Sequence, residues 1–236
     1  SILMSNPQQK ITPQIIYSGF KRLLPLSVFI IVFGLAFGLA ASQSGLDNNS
    51  ALAMSASVFA GASQFATLEL WSAQMSLVPV IITVFAINAR HLLMGASLYP
   101  HLAHLSKAKR YGALLLVSDA NWAMSLQAIN KGNQGLGLLI GGGIALWLFW
   151  VLGTLLGLYF GSAIKDPFSL GLDMVMACFL LAMVVDGKKD LRVFAIWVVA
   201  ALSSLLAYWY LPTNSHVIVG ALAGGTFGAI WMGEKA

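Results

Sequence analysis

Charge is scarce in this chain. It carries 13 Lys and Arg and 8 Asp and Glu in 236 residues, so only 9% of it is charged, where a soluble domain carries about 25%. Too few charges remain to cover a water-facing surface, and a freely soluble globular protein is excluded. Cysteine is nearly absent. The one thiol, Cys178, sits in an apolar run, which excludes a disulfide framework. His and Cys do not cluster at ligand spacing, so no metal site and no cofactor is expected. A phosphate loop of the Walker type is missing, so nothing in the chain itself supports ATP drive. Long stretches alternating polar with apolar are missing too, which argues against a membrane β-barrel. The net charge of +5 is spread between apolar runs, where positive cytoplasmic loops belong, and no nucleic-acid partner is implied. The first ten residues are polar, and no small-residue cleavage site follows a short apolar core, unlike a secretory signal.

What the chain has in abundance is apolar length. Hydrophobic residues make up 58% and mean hydropathy is +0.82. Eight runs emerge, near 23–42, 50–71, 77–99, 111–130, 136–160, 168–185, 193–211 and 217–231. Most approach the roughly 20 residues needed to cross a ~30 Å hydrocarbon core as a helix. The expected fold is an all-α polytopic membrane protein with seven to eight hydrophobic segments and membrane lipid as its solvent. Residues 1–20 read as a polar cytoplasmic N-terminus. Residues 21–236 read as one membrane-embedded transport domain.

Counting runs is not counting crossings. Basic residues place the N-terminus, the Lys107–Arg110 loop and the Lys188–Arg192 loop on the cytoplasmic side. Three runs lie between each neighbouring pair of these. A chain cannot return to its starting side in an odd number of full crossings. Either one run in each group is broken or re-entrant, or the charge rule fails at a loop. The second and fourth, which carry the most polar residues, are the candidates. A faint internal repeat is also expected, relating 22–105 to 135–212 across a joining stretch 106–134. It rests on Gly34-x-x-x-Gly38 against Gly153-x-x-x-Gly157, and on Val58–Gly61 against Ala177–Leu180.

Ionisable residues inside the runs are the strongest functional signal, because a charge at bilayer depth costs several kcal/mol. Glu69 lies close enough to a run's end to reach the interface. Asp173 is either interfacial and stabilising a helix N-terminus or functional. Arg90, between Asn88 and His91, sits well inside the third run. Asp119, near Asn121, either lines a cavity or pairs with Arg90. The second run adds Phe59-Ala60-Gly61-Ala62-Ser63-Gln64-Phe65. This stretch reads either as a close helix–helix seam or as a discontinuous helix. In the second case its freed backbone groups would hold a carboxylate and an ammonium.

These elements resemble a known family. Val58 to Phe65, followed by Asn88-Ala89-Arg90-His91-Leu92-Leu93-Met94-Gly95-Ala96-Ser97-Leu98, is similar to the AzlC family. So are Pro25, Phe33 to Gly38 and Leu172-Asp173-Met174. The resemblance runs from about Gly19 to Gly233. It implies the large subunit of a bacterial inner-membrane exporter of branched-chain amino acids, often also methionine, with a small AzlD-type membrane subunit as partner. A second acid common in the family's fourth segment is missing from Ser118-Asp119-Ala120-Asn121-Trp122. On this reading Phe59, Gly61, Ala62, Ser63, Gln64, Phe65, Asn88, Arg90 and His91 are substrate-binding candidates. Asp119, Asn121 and Asp173 are coupling or gating candidates, under an ion or proton gradient, and no residue is catalytic. Two other readings compete. A membrane-embedded enzyme would have to use His91 with Asp119, and a non-transporting scaffold subunit would be indifferent to Arg90.

Overall fold

The computed structural model describes residues 10–71, 76–133, 135–163, 174, 190–212 and 215–233. The sixth hydrophobic run, with Asp173 and Cys178, lies outside them apart from Met174. So does the Ala177–Leu180 half of the repeat. The described residues form helices and no strands.

Helix α1 spans Pro13–Gln43. It starts inside the stretch read above as a polar leader. Thr12 caps it, accepting from the Ile15 N–H at 3.4 Å, and Pro13 takes the first turn, where a missing N–H costs nothing. Lys21 and Arg22 do not end the helix, because both point outward while Leu23 is buried. Helix α8, Gly135–Phe160, contains a π-helical turn over Leu138–Gly142 and packs along α1. Their glycines make the close approach possible. A Cβ at Gly34 would sit 2.7 Å from the Trp150 carbonyl oxygen, and one at Gly153 would sit 3.0 Å from the Gly34 Cα. Gly38 meets Gly157 one turn further on. The two glycine motifs compared above thus face each other, and the contact is held by van der Waals packing of bare backbone. Contacts advance together, from Ile15 against Gly137 to Leu39 against Gly161. The two helices are therefore parallel.

The runs between them are interrupted. Helix α2 is Asn48–Val58 and α3 is Gly61–Leu70. Between them Phe59 is left-handed, at φ 47°, and Ala60 has φ −140° and ψ 84°. The third run forms α4, Leu77–Asn88, and α5, Arg90–Leu102, with the bend at Ala89. The fourth forms α6, Lys107–Leu115, and α7, Asp119–Asn130. Helix α2 starts beyond the C-terminal end of α1 and reaches Phe33 and Trp150 at Gly61. Helix α3 then climbs back, since Gly61 lies at Phe33 while Phe65 reaches both Phe33 and Phe37, one turn further along α1. Helices α6 and α7 do the same from the other end. Ala113 packs with Leu136, and Ile129 lies against Gly135.

Of the three interrupted runs the second and the fourth thus double back, one from each end of the α1–α8 pair. For the stretch between the N-terminus and the Lys107–Arg110 loop this removes the parity problem. With the second run returning to the side it left, α1 and α4–α5 are the two helices there that are long and apolar enough to cross. The N-terminus and the Lys107–Arg110 loop then share a side, as the positive-inside rule requires. Helices α9, Leu191–Tyr210, and α10, Ser215–Gly233, pack on each other through Gly220 against Ser204 and Gly224 against Ala200.

One loop residue gives a pH-dependent contribution. Asp47, exposed between α1 and α2, caps α2 by accepting from the Ser50 N–H at 3.0 Å. Hydrogen bonds from the Ser50 side chain and backbone hold its carboxyl below the usual 3.8. A depressed carboxyl stabilises the fold fully above its unfolded value, and that contribution fades as pH falls through the lower folded value. Asp47→Ala is therefore expected to lower the thermal midpoint at pH 7 and to match wild type once Asp47 is protonated. Melting both proteins across the acid range checks this.

Candidate substrate site

A helix that restarts in mid-membrane leaves the amides of its first turn without intrahelical acceptors and carries a partial positive charge there. Three such starts meet here. Ala60, Gly61 and Ala62 at the start of α3, Arg90 and His91 at the start of α5, and Ser118, Asp119 and Ala120 at the start of α7 all line one cavity of about 60 Å³. The opposite wall is apolar: Ile30, Phe33, Phe59, Leu146 and Trp150. Behind this wall Phe33 stacks on Phe65 at 5.3 Å, and Phe37 packs on Phe65 and Trp150 at 5.6 and 5.7 Å. Gly61 has to be small, since a Cβ there would fall 2.7 Å from the Phe33 ring.

Across the cavity Arg90 Nη2 pairs with Asp119 Oδ2 at 3.1 Å. The pair is partly covered, with 32% and 21% of the two side chains exposed. Arg90 Nε is buried and has no acceptor among the described residues, and neither has the indole N–H of Trp150. His91 sits at the edge, its Nδ1 3.2 Å from the Asn88 carbonyl. Together with Asn88 it also lines a wider, largely apolar groove of about 750 Å³ between α4, α5 and α6.

The remaining candidates sit behind the cavity and hold its two tips. Gln64 is buried. Its Oε1 accepts from the Ala60 N–H at 3.2 Å, and its Nε2 donates to Ser55 Oγ at 3.1 Å. Ser55 in turn shares a 2.8 Å hydrogen bond with Thr154 on α8. Ser63 Oγ donates to the Ala60 carbonyl and accepts from Asn88 Nδ2. Asn121 plays the matching part at the other tip. Its Oδ1 accepts from the Ser118 N–H at 2.6 Å and from Ser118 Oγ at 3.1 Å. Its Nδ2 donates to the Leu116 and Leu139 carbonyls at 2.7 and 2.9 Å. All four hydrogen-bonding positions of this amide are taken. Leu139 lies in the π-helical turn of α8, and Gly143 leaves the space, because a Cβ there would stand 2.7 Å from Asn121 Nδ2.

Of the residues singled out from sequence, the fold brings Phe59, Gly61, Ala62, Arg90, His91 and Asp119 to one cavity. It puts Ser63, Gln64, Phe65 and Asn121 into the supports. Asn88 stands between the two, and Asp173 is outside the described residues. Sequence reasoning missed Ser55, Thr154 and Trp150. Each is one ordinary residue in an apolar run and gives no signal until its partner is known.

Comparison with known proteins fits this arrangement. The AzlC protein family model matches residues 25–164, which contain α1 from Pro25, both interrupted runs and all of α8. The chain belongs to the AzlC family. It is 28% identical over 225 residues to the inner membrane protein YgaZ of Escherichia coli, covering 91% of each chain. It is 28% identical over 226 residues to an uncharacterized membrane protein of Archaeoglobus fulgidus, covering 92% of this chain and 94% of that one. It is 26% identical over 175 residues to the branched-chain amino acid transport protein AzlC of Bacillus subtilis, covering 73% and 68%. No solved structure matches it. As an AzlC family member it is a multi-pass membrane protein with a role in transport.

Proposed function

We propose that this protein exports branched-chain amino acids, and methionine, across the bacterial inner membrane under an ion or proton gradient, working with a small AzlD-type subunit. The observation that carries the reading is the convergence of three helix N-termini and Arg90 on a cavity whose other wall is apolar. Helix N-termini attract anions, so the first-turn amides at Gly61 and Ala62, with Arg90, take the carboxylate. Ile30, Phe33, Phe59, Leu146 and Trp150 offer the aliphatic side chain a surface without hydrogen-bond demands. Asp119 is the single acid of the cavity among the described residues and faces the ammonium. Gln64 and Asn121 position the two tips rather than touch substrate. The cavity is small, and a whole amino acid enters as the tips part.

The test is direct. The chain is reconstituted with and without the small subunit, loaded with labelled valine, leucine or methionine, and placed under a pH gradient. Release above that of protein-free vesicles is the expected result. Release no faster than from empty vesicles, with the small subunit present, would reject the reading.

A further inference from the structure

We propose that Asp119 stands in for the substrate's carboxylate on Arg90 whenever the site is empty, and that this lets the empty carrier change its facing without a second amino acid. The proposal rests on the transport reading above and adds to it the mode of operation. Two observations point to a replaceable partner. The Arg90–Asp119 contact is made through one guanidinium nitrogen, Nη2, while Nε is buried without an acceptor among the described residues. A guanidinium presents a planar fork that binds a carboxylate best through two parallel hydrogen bonds. Here half of that edge is idle, so an incoming carboxylate can occupy Nε and Nη2 together and improve on the bond it replaces.

The exchange leaves no charge stranded. Asp119, released from Arg90, meets the ammonium of the same amino acid. One ion pair becomes two, and the site's net charge is zero before and after. A lone charge at membrane depth raises the cost of closing the site around it. Carriers with such a charge when empty are held until a new substrate arrives, and so they exchange rather than release. In this protein the internal pair removes that cost in the empty state.

Vesicles loaded with labelled valine, at equal pH on both sides, separate the two modes. Dilution into amino-acid-free buffer reads net release, and dilution into saturating unlabelled valine reads exchange. The wild-type protein is expected to show both at comparable rates. Asp119→Asn leaves one cation unpaired in either state, Arg90 when the site is empty and the substrate ammonium when it is loaded. Its net release and its exchange should therefore both fall at least about tenfold, while Asp119→Glu should keep the wild-type ratio. Wild-type release that requires external valine would overturn the proposal. So would an Asp119→Asn protein that releases valine at the wild-type rate. Absence of both fluxes in the wild-type protein would instead reject the transport reading itself.

Discussion

Arg90→Gln is expected to lower valine release by about 30- to 140-fold without preventing membrane insertion, the counterpart of about 2–3 kcal/mol for a charge-assisted hydrogen bond. The loss has two sources. The cavity loses the one Arg or Lys that lines it among the described residues, and Asp119 loses the partner that lies 3.1 Å away. Because both side chains keep some exposure, the abandoned carboxylate is partly screened, and the cost stays below that of a fully buried ion. Initial rates in reconstituted vesicles, normalised to inserted protein, measure the effect. A double-mutant cycle with Asp119→Asn separates substrate contact from pairing. If Arg90 acts only through Asp119, the double variant will transport no worse than Asp119→Asn alone. If it also holds substrate, the double variant will be worse. Wild-type release from Arg90→Gln would remove Arg90 from the site.

Asn121→Leu should instead destabilise the fold, by about 3–5 kcal/mol, as expected when several buried polar groups lose their partners at ~1–3 kcal/mol each. The groups are the Ser118 N–H and the Leu116 and Leu139 carbonyls; the bond to Leu139 is buried and the other two are partly so. Asn121→Asp keeps the two accepted hydrogen bonds and loses the two donated ones, so its effect should fall between. Gln64→Leu should cost less than Asn121→Leu. It abandons the Ala60 N–H, while Ser55 keeps its hydrogen bond to Thr154. Denaturant unfolding of the purified proteins in detergent gives the ranking. An Asn121→Leu protein as stable as wild type would show that water or lipid headgroups reach the α6–α7 tip.

These two residues show how far the sequence could be read. From their neighbours alone, Arg90 and Asn121 looked alike: polar, inside apolar runs, and near other polar groups. Charge separates them only in part. Arg90 stands out as a functional candidate because an ion in hydrocarbon needs a reason. Asn121 stands among the coupling or gating candidates, and its amide bonds the backbone of its own tip and Leu139, 18 positions away. Gln64 is a substrate-binding candidate in a stretch that also reads as a helix–helix seam, and it reaches Thr154 on α8 by way of Ser55. A buried amide can bind a ligand or repair a broken helix, and local sequence does not distinguish the two uses.

By itself the sequence determined that lipid is the solvent, that helices are the only element, and that, where the charge rule holds at every loop, one run in each group of three is not a plain crossing. Those conclusions follow from hydropathy, from backbone hydrogen-bonding demand in hydrocarbon and from the parity of charged loops. They require no knowledge of which residues touch. The tertiary structure decided everything that depends on contact. It set the glycine motif of α1 against that of α8, and it folded two runs back from opposite ends until their tips met. It paired Arg90 with Asp119 and turned Gln64 and Asn121 away from the cavity. The physical reason is distance along the chain. Ser55 and Thr154 are 99 positions apart, and where a helix is interrupted, its side chains take the direction in which such distant partners satisfy them.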